Sequence, residues 1–154
     1  MTTNTHAPRR LTTRTMLNKV PEVTLAFWLV KIMATTVGET AADYLAVDLH
    51  LGLTATTWVM GGLLIAALVW QFRTKRYVPG VYWLAVVFIS VVGTLITDNL
   101  TDRFGVPLAL TTTLFTIAML ATFAAWYACD KAPATTEIYT TRREAFYWSA
   151  ILFT

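Results

Sequence analysis

Four long apolar runs, separated by short charged segments, constrain the fold of this chain more than any other feature. They cover approximately residues 23–45, 54–72, 81–97 and 106–128. Their lengths suit helices that cross a bilayer, which need roughly 17–25 residues and pair every backbone polar group within their own segment. Charged residues make up only 14% of the 154 residues, against about 25% in soluble domains. The sequence therefore predicts an all-α integral membrane bundle with four complete transmembrane helices.

A fifth apolar run begins near Ala145 and reaches Thr154. A helix of that length measures roughly 15 Å, about half of the hydrocarbon thickness. We interpret it as the start of a further spanning helix, and the chain as the N-terminal part of a longer protein. The expected organisation is a disordered cytosolic tail over residues 1–20, two-helix units over 21–76 and 77–131, and a linker with the start of a third unit over 132–154.

The distribution of basic residues predicts the orientation in the membrane. Lys and Arg precede the first span and follow the second and fourth, whereas the other two loops are mainly acidic. This pattern places the N-terminus in the cytosol of a multi-pass inner-membrane protein. The single cysteine, Cys129, suits a reducing cytosolic side. The basic residues form no face of the kind that binds nucleic acid.

An internal repeat divides the chain into similar halves. FWLVKIMATTVGETAAD, starting at Phe27, aligns without gaps with YWLAVVFISVVGTLITD, starting at Tyr82. A residue in the first stretch therefore corresponds to the residue 55 positions later, as Asp43 does to Asp98. Tyr147-Trp148 opens a third copy. Because each unit contains two spans, the copies run in parallel, and transporters commonly bind their substrates where such repeats meet.

Polar residues form stripes inside the first and third spans. Residues four apart on a helix lie near one face, and ionisable groups within a span face the bundle interior or a water-filled cavity, because lipid exposure is costly. We expect the site to contain residues of both stripes, which are Lys31, Thr35, Thr36, Glu39, Asp43, Thr94, Thr97 and Asp98.

Carboxylates and hydroxyls from two facing helices suit hard cations such as Mg²⁺, Ca²⁺ or Mn²⁺. The hypothetical metal ligands are Glu39, Asp43 and Asp98, and a raised carboxylate pKa would equally suit proton coupling. The alternative is that these side chains cap helices or join them by hydrogen bonds. A transition-metal role for His50 and a Schiff base at Lys31 are weaker alternatives.

The stretches KVPEVTLAFWLVKIMATTVGETAADYL, YVPGVYWLAVVFISVVGTLITDNLTDRFGV and TTRREAFYW resemble a bacterial membrane-protein family that is usually left without an assigned function. The similarity extends from about Asn18 to the end of the sequence. It implies longer relatives, with further hairpins that carry the same Gly-x4-Asp element. It implies no established substrate.

The sequence favours a secondary transporter for a cation, with a small inorganic ion as its substrate and no cofactor. We expect no enzyme activity, since neither a metal-hydrolase motif nor a nucleophile with a base is recognisable, and no nucleotide-binding loop is present. The expected partners are the lipid bilayer and either a second copy of the chain or further repeats, which would cover the polar stripes. The alternative function is a non-transporting membrane scaffold.

Overall fold

The computed structural model describes residues 19–130, 138 and 140–153, and all regular structure in these ranges is helical. The helices are α1 (Leu25–Asp43), α2 (Leu53–Arg73), α3 (Pro79–Asp98), α4 (Leu108–Asp130) and α5 (Thr141–Leu152). The first four, with the extensions described below, are long and apolar enough to cross a membrane. The prediction of an all-α membrane bundle with four spans is confirmed.

The bundle has two ends of opposite charge. The end at which α1, α3 and α5 begin carries Lys19, Arg73, Lys75, Arg76 and Arg142, and is called the basic end. The opposite end carries Asp43, Asp48, Asp98 and Asp102, and is called the acidic end.

Helices α1 and α3 both continue beyond their predicted ends. Each passes into a π-helical turn of five residues, Tyr44–Asp48 after α1 and Asn99–Arg103 after α3. The turns keep the backbone hydrogen-bonded, with the amide of Leu49 donating to the carbonyl of Tyr44 and that of Phe104 to that of Asn99. The predicted spans ended at residues 45 and 97, before Asp48, Asp98 and Asp102, whereas the helical backbone continues through all three. Their side chains are polar, but their backbone groups remain helical.

Local sequence signals explain where the helices begin. The Thr24 hydroxyl accepts a hydrogen bond from the amide of Phe27 and caps α1. Pro79 occupies the first turn of α3, where its missing N–H costs no hydrogen bond. Thr140 caps α5 through the amide of Arg143, so that α5 begins four residues before the predicted Ala145.

Helix α3 has more buried residues than any other described helix. It packs against both α1 and α2, and its buried residues are Val81, Tyr82, Ala85, Val86, Ile89, Val91, Val92 and Leu95. Helix α5 packs in the same manner against α3 and α4, the two helices of the preceding unit. By contrast, α4 buries only Thr111 and Trp126. The described structure thus has three closely packed helices, α1, α2 and α3, whereas α4 is mostly exposed and is contacted mainly by α5.

A close contact between α1 and α3 fixes their separation. The Ser90 hydroxyl donates to the carbonyl of Thr35 at 3.0 Å. A β-carbon at Gly38 would lie 2.5 Å from the Ser90 Cβ. The absence of a side chain at Gly38 therefore lets the two backbones approach, as small residues do between membrane helices.

The repeat extends to details of the backbone. The two π turns occupy equivalent positions, as do the residues with positive φ that follow them, His50 (56°) and Gly105 (65°). Parallel two-helix units are therefore visible both in the sequence and in the backbone conformation.

The predicted tail over 1–20 lies outside the described residues, except for Lys19 and Val20, which are both buried. Burial thus already includes the last two residues of the predicted tail. Residue 131 of the second predicted unit, and residues 132–137, 139 and 154 of the predicted linker and third unit, also lie outside the described part of the chain.

Candidate functional site

A pocket of about 670 Å³ lies between α1, α3, α4 and the last turn of α5. It extends from the acidic end to the middle of the spans, because it is lined by Asp98 near the end of α3 and by Val86 and Met119 in the middle of α3 and α4. Its volume is within the range of small-molecule sites, roughly 300–1,000 Å³. It is therefore an opening of ligand-site size within the membrane-spanning part of the molecule.

The pocket brings together six of the eight predicted site residues. Helix α1 contributes three of them, and α3 the other three. They are Lys31, Thr35, Glu39, Thr94, Thr97 and Asp98.

Thr36 and Asp43 do not line the pocket, and both are exposed. Helix geometry explains both departures. Thr36 is rotated by about 100° from Thr35. Four residues advance a helix by about 400°, so each step of four drifts by about 40°, and Asp43, three such steps from Lys31, has turned away from the pocket.

The predicted metal site is not assembled. Across residues 19–130, 138 and 140–153, no group of three or more His, Cys, Asp or Glu side chains is placed to hold a metal ion. Glu39 and Asp98 share the pocket, but Asp43 lies outside it. The described structure therefore does not gather Glu39, Asp43 and Asp98 into one set of three, and their role as metal ligands stays a prediction.

The charges of the pocket are unequal in number and separated along it. Glu39 and Asp98 outnumber Lys31 among its lining residues. Asp98 also interacts electrostatically with Asp102, Asp43 and Glu39. The acidic end of the pocket therefore has an excess of carboxyl groups, and the half-buried Lys31 lies deeper along the spans.

Hydroxyl groups line much of the remaining surface, and most of them have already donated their protons. Thr35 donates to the carbonyl of Ile32, Thr97 to that of Gly93, and Thr116 to that of Thr112. Ser90 donates across to α1. A hydroxyl has one donor and two acceptor lone pairs, so these groups present oxygen lone pairs to the pocket.

Sequence reasoning missed the wall formed by α4. Thr111, Thr112 and Thr116 line the pocket opposite the two stripes. The spacing of four between Thr112 and Thr116 was the available signal, because it places two hydroxyls on one helix face. Phe115 and Met119 supply the apolar part of this wall.

A second polar cluster closes the basic end. The Lys19 ammonium lies 2.6 Å from the Glu144 carboxylate and donates to the carbonyl of Phe72 at 3.2 Å. The Gln71 amide reaches the other oxygen of Glu144 at 3.4 Å, and the hydroxyls of Tyr82 and Tyr147 lie 2.6 Å apart. Lys19 was expected in a disordered tail, and no pattern in the sequence pointed to Glu144.

His50 takes part in no site. It is exposed, and its ring nitrogen Nδ1 is bonded to the carbonyl of Val47 at 2.6 Å. Its structural contribution is to the turn that follows the first π-helical turn.

Comparison with known proteins bears on the repeat. No curated protein and no solved structure shows significant similarity to the chain. A family model described as Repeat of Unknown Function (DUF347) matches twice, over residues 26–77 and 81–132. Each match contains one helix with its π turn and the helix that follows. The chain therefore belongs to the family defined by this repeat, of which it contains two copies.

Proposed function

We propose that the protein is a secondary transporter for a small cation, and that the pocket between α1, α3 and α4 is where the cation binds during transport. The proposal rests on one observation: two carboxylates and several hydroxyls line a single pocket within the membrane spans, and most of these hydroxyls donate their protons to backbone carbonyls. Ionisable groups at such positions commonly mark ion pathways.

The hydrogen bonds of the hydroxyls favour a cation over an anion. An anion requires donors, but the protons of Thr35, Thr97 and Thr116 are already bonded to helix carbonyls. The exposed lone pairs can instead replace part of the hydration shell of a cation. Lys31 would offset one carboxylate while the pocket is empty.

Carboxylates that are exposed within the spans suggest that additional protein buries them in the membrane. Glu39 and Asp43 are both exposed on α1, and an unpaired acid facing lipid costs about 2.5–3.5 kcal/mol on insertion scales. We propose that a second copy of the chain or further repeats cover this face in the working transporter.

The direct test is cation uptake into proteoliposomes, with a panel of alkali and divalent ions and a pH-sensitive dye for proton flux. The wild type should move at least one cation. Glu39→Gln and Asp98→Asn should each reduce the initial rate by about tenfold or more, as expected when an interaction worth at least 1.4 kcal/mol is lost.

Asp48→Asn is the matched control, since Asp48 is exposed at the acidic end but does not line the pocket. It should leave the rate unchanged. Wild-type transport that persists undiminished in both pocket variants would contradict the assignment of the site.

A scaffold without transport is the second candidate, and the close packing of α1 on α3 favours it. Part of the polar stripe serves this contact, since Ser90 bonds to the backbone of α1 beside Gly38. In that case no ion is moved by the wild type, and the carboxylate variants change only stability or assembly.

A further inference from the structure

We propose that an aromatic layer at the basic end is the closed gate of the pocket, held shut by the Lys19–Glu144 ion pair and the Tyr82–Tyr147 hydrogen bond. This inference rests on the proposed transport function, because a transporter must open its site to each side of the membrane in turn. It identifies the residues that would keep the pocket closed towards the basic end.

The layer lies one helical turn from the pocket on three helices. Lys31, Val86 and Ile151 are pocket residues of α1, α3 and α5. Four residues before each of them, one turn nearer the basic end, is an aromatic side chain: these are Phe27, Tyr82 and Tyr147. The three aromatic positions are equivalent in the repeat, so each unit contributes one aromatic ring directly below the pocket.

The rings and the neighbouring tryptophans contact one another across the bundle. Phe27 meets Trp83 at 5.6 Å between ring centroids, and Tyr82 meets Trp148 at 5.4 Å. Tyr82, Tyr147 and Trp148 are all buried. This contact network lies between the basic end and the pocket residues of α1, α3 and α5.

The ion pair beneath the layer connects the segment before α1 to the start of α5. Lys19 and Glu144 are 8% and 1% exposed, and the backbone amide of Lys19 also donates to the carbonyl of Ile138 at 3.1 Å. The carbonyl of Phe72 adds the end of α2 to the same cluster. The cluster thus ties the start of α5, whose last turn lines the pocket, to the segment before α1 and to the end of α2. These contacts would have to break for α5 to move away from the pocket at this end.

Some buried polar groups of the closed arrangement lack hydrogen-bond partners. Within the described residues, the side-chain oxygen of Gln71 and the indole N–H of Trp148 are buried and have no hydrogen-bond partner. Each such group costs free energy that an alternative arrangement can recover. A closed gate with this property can open without an additional loss of hydrogen bonds at these two groups.

The test is thiol labelling of the pocket from the basic side. Thr94→Cys places a probe in the pocket, in a Cys129→Ala background that removes the exposed native thiol. A membrane-impermeant reagent is applied from each side of oriented vesicles, and Lys75→Cys in the same background identifies the basic side. Labelling of the pocket probe from that side should be slow.

Glu144→Gln should raise the basic-side labelling rate of the pocket probe by about tenfold or more, because it leaves the buried Lys19 ammonium without its counter-charge. Tyr147→Phe, which removes one hydroxyl and keeps the ring, should raise it by a smaller factor. Arg142→Gln is the matched control: it breaks an ion pair at the same end, but the Arg142 side chain is 60% exposed, so the rate should not change.

The elution volume in size-exclusion chromatography and the thermal unfolding midpoint in detergent, both compared with the wild type, report whether the variants keep their fold. If Glu144→Gln and Tyr147→Phe remain folded by these criteria and neither accelerates basic-side labelling, the gate assignment is overturned. Failure of the wild type to move any cation would contradict the proposed transport function, whereas the labelling rates decide independently whether this layer closes the pocket.

Discussion

Single residues in the turns at the acidic end show how strictly the repeat is kept. His50 and Gly105 have nearly the same positive φ, although one of them carries a side chain. An L-residue in this conformation brings its β-carbon close to the following carbonyl oxygen. The backbone of His50 is therefore strained, whereas that of Gly105 is not. In this conformation the His50 ring is hydrogen-bonded to the carbonyl of Val47.

Gly105→Ala should lower the free energy of unfolding by about 1 kcal/mol, because the φ of 65° is unfavourable for alanine. Space is not the cause, since a β-carbon there would meet nothing within 4 Å. Gly105→Asn should cost less, as asparagine tolerates left-handed backbone. Thermal unfolding in detergent measures both variants, and equal losses would show that backbone handedness is not responsible.

The pocket residues illustrate what sequence could predict at this scale. Lys31, Glu39 and Asp98 were predicted because charged groups in an apolar run must face an interior. Asp43 was misplaced because the stripe drifts around the helix by about 40° at every step of four. The position of α4 decides which residue of the stripe no longer faces the pocket. The spacing of residues along α1 does not predict where α4 lies.

At the scale of helices, equivalent glycines in α1 and α3 have different surroundings. Gly38 packs against Ser90, whereas a β-carbon at Gly93 would meet nothing within 4 Å. The repeat places a glycine at the same position of both helices, and the structure shows a close approach at one of them. The pattern marks the helix face, but the neighbouring helix decides whether the space is used.

Gly38→Ala should lower the free energy of unfolding by about 1–3 kcal/mol, as expected for overpacking. Gly93→Ala is its control in the second repeat and should be neutral, or stabilising by up to about 1 kcal/mol through helix propensity. Chemical denaturation in mixed micelles would measure the pair. Ser90→Gly combined with Gly38→Ala should recover part of the loss, and a lack of recovery would argue against the Ser90 contact as the cause.

The lengths of the spans were predictable, but their continuation into π turns was not. Hydropathy ends at the first acidic residues, and the predicted third span ended at Thr97. The backbone continues through Arg103, because its hydrogen bonds do not depend on apolar side chains. The predicted span boundaries therefore marked the ends of the apolar segments rather than the ends of the helical backbone.

At the scale of the whole molecule, the charge difference between the ends predicts the orientation. In a Cys129→Ala background, Lys75→Cys should react with an impermeant thiol reagent from the cytosolic side, and Asp48→Cys only from the opposite side. Both residues are exposed and lie at opposite ends of the bundle. Reaction of both probes from the same side would contradict the topology.

The sparse attachment of α4 has a consequence for how the protein depends on its membrane. Its two buried residues, Thr111 and Trp126, lie near opposite ends of the helix, and Asp130 joins it to α5 through Arg142 and Arg143. Most of its other side chains are left exposed by the described part of the chain, and in a bilayer they would face acyl chains. Because a spanning helix adjusts its tilt to the hydrocarbon thickness, we expect bilayer thickness to influence the gap between α4 and α3, and with it the shape of the pocket.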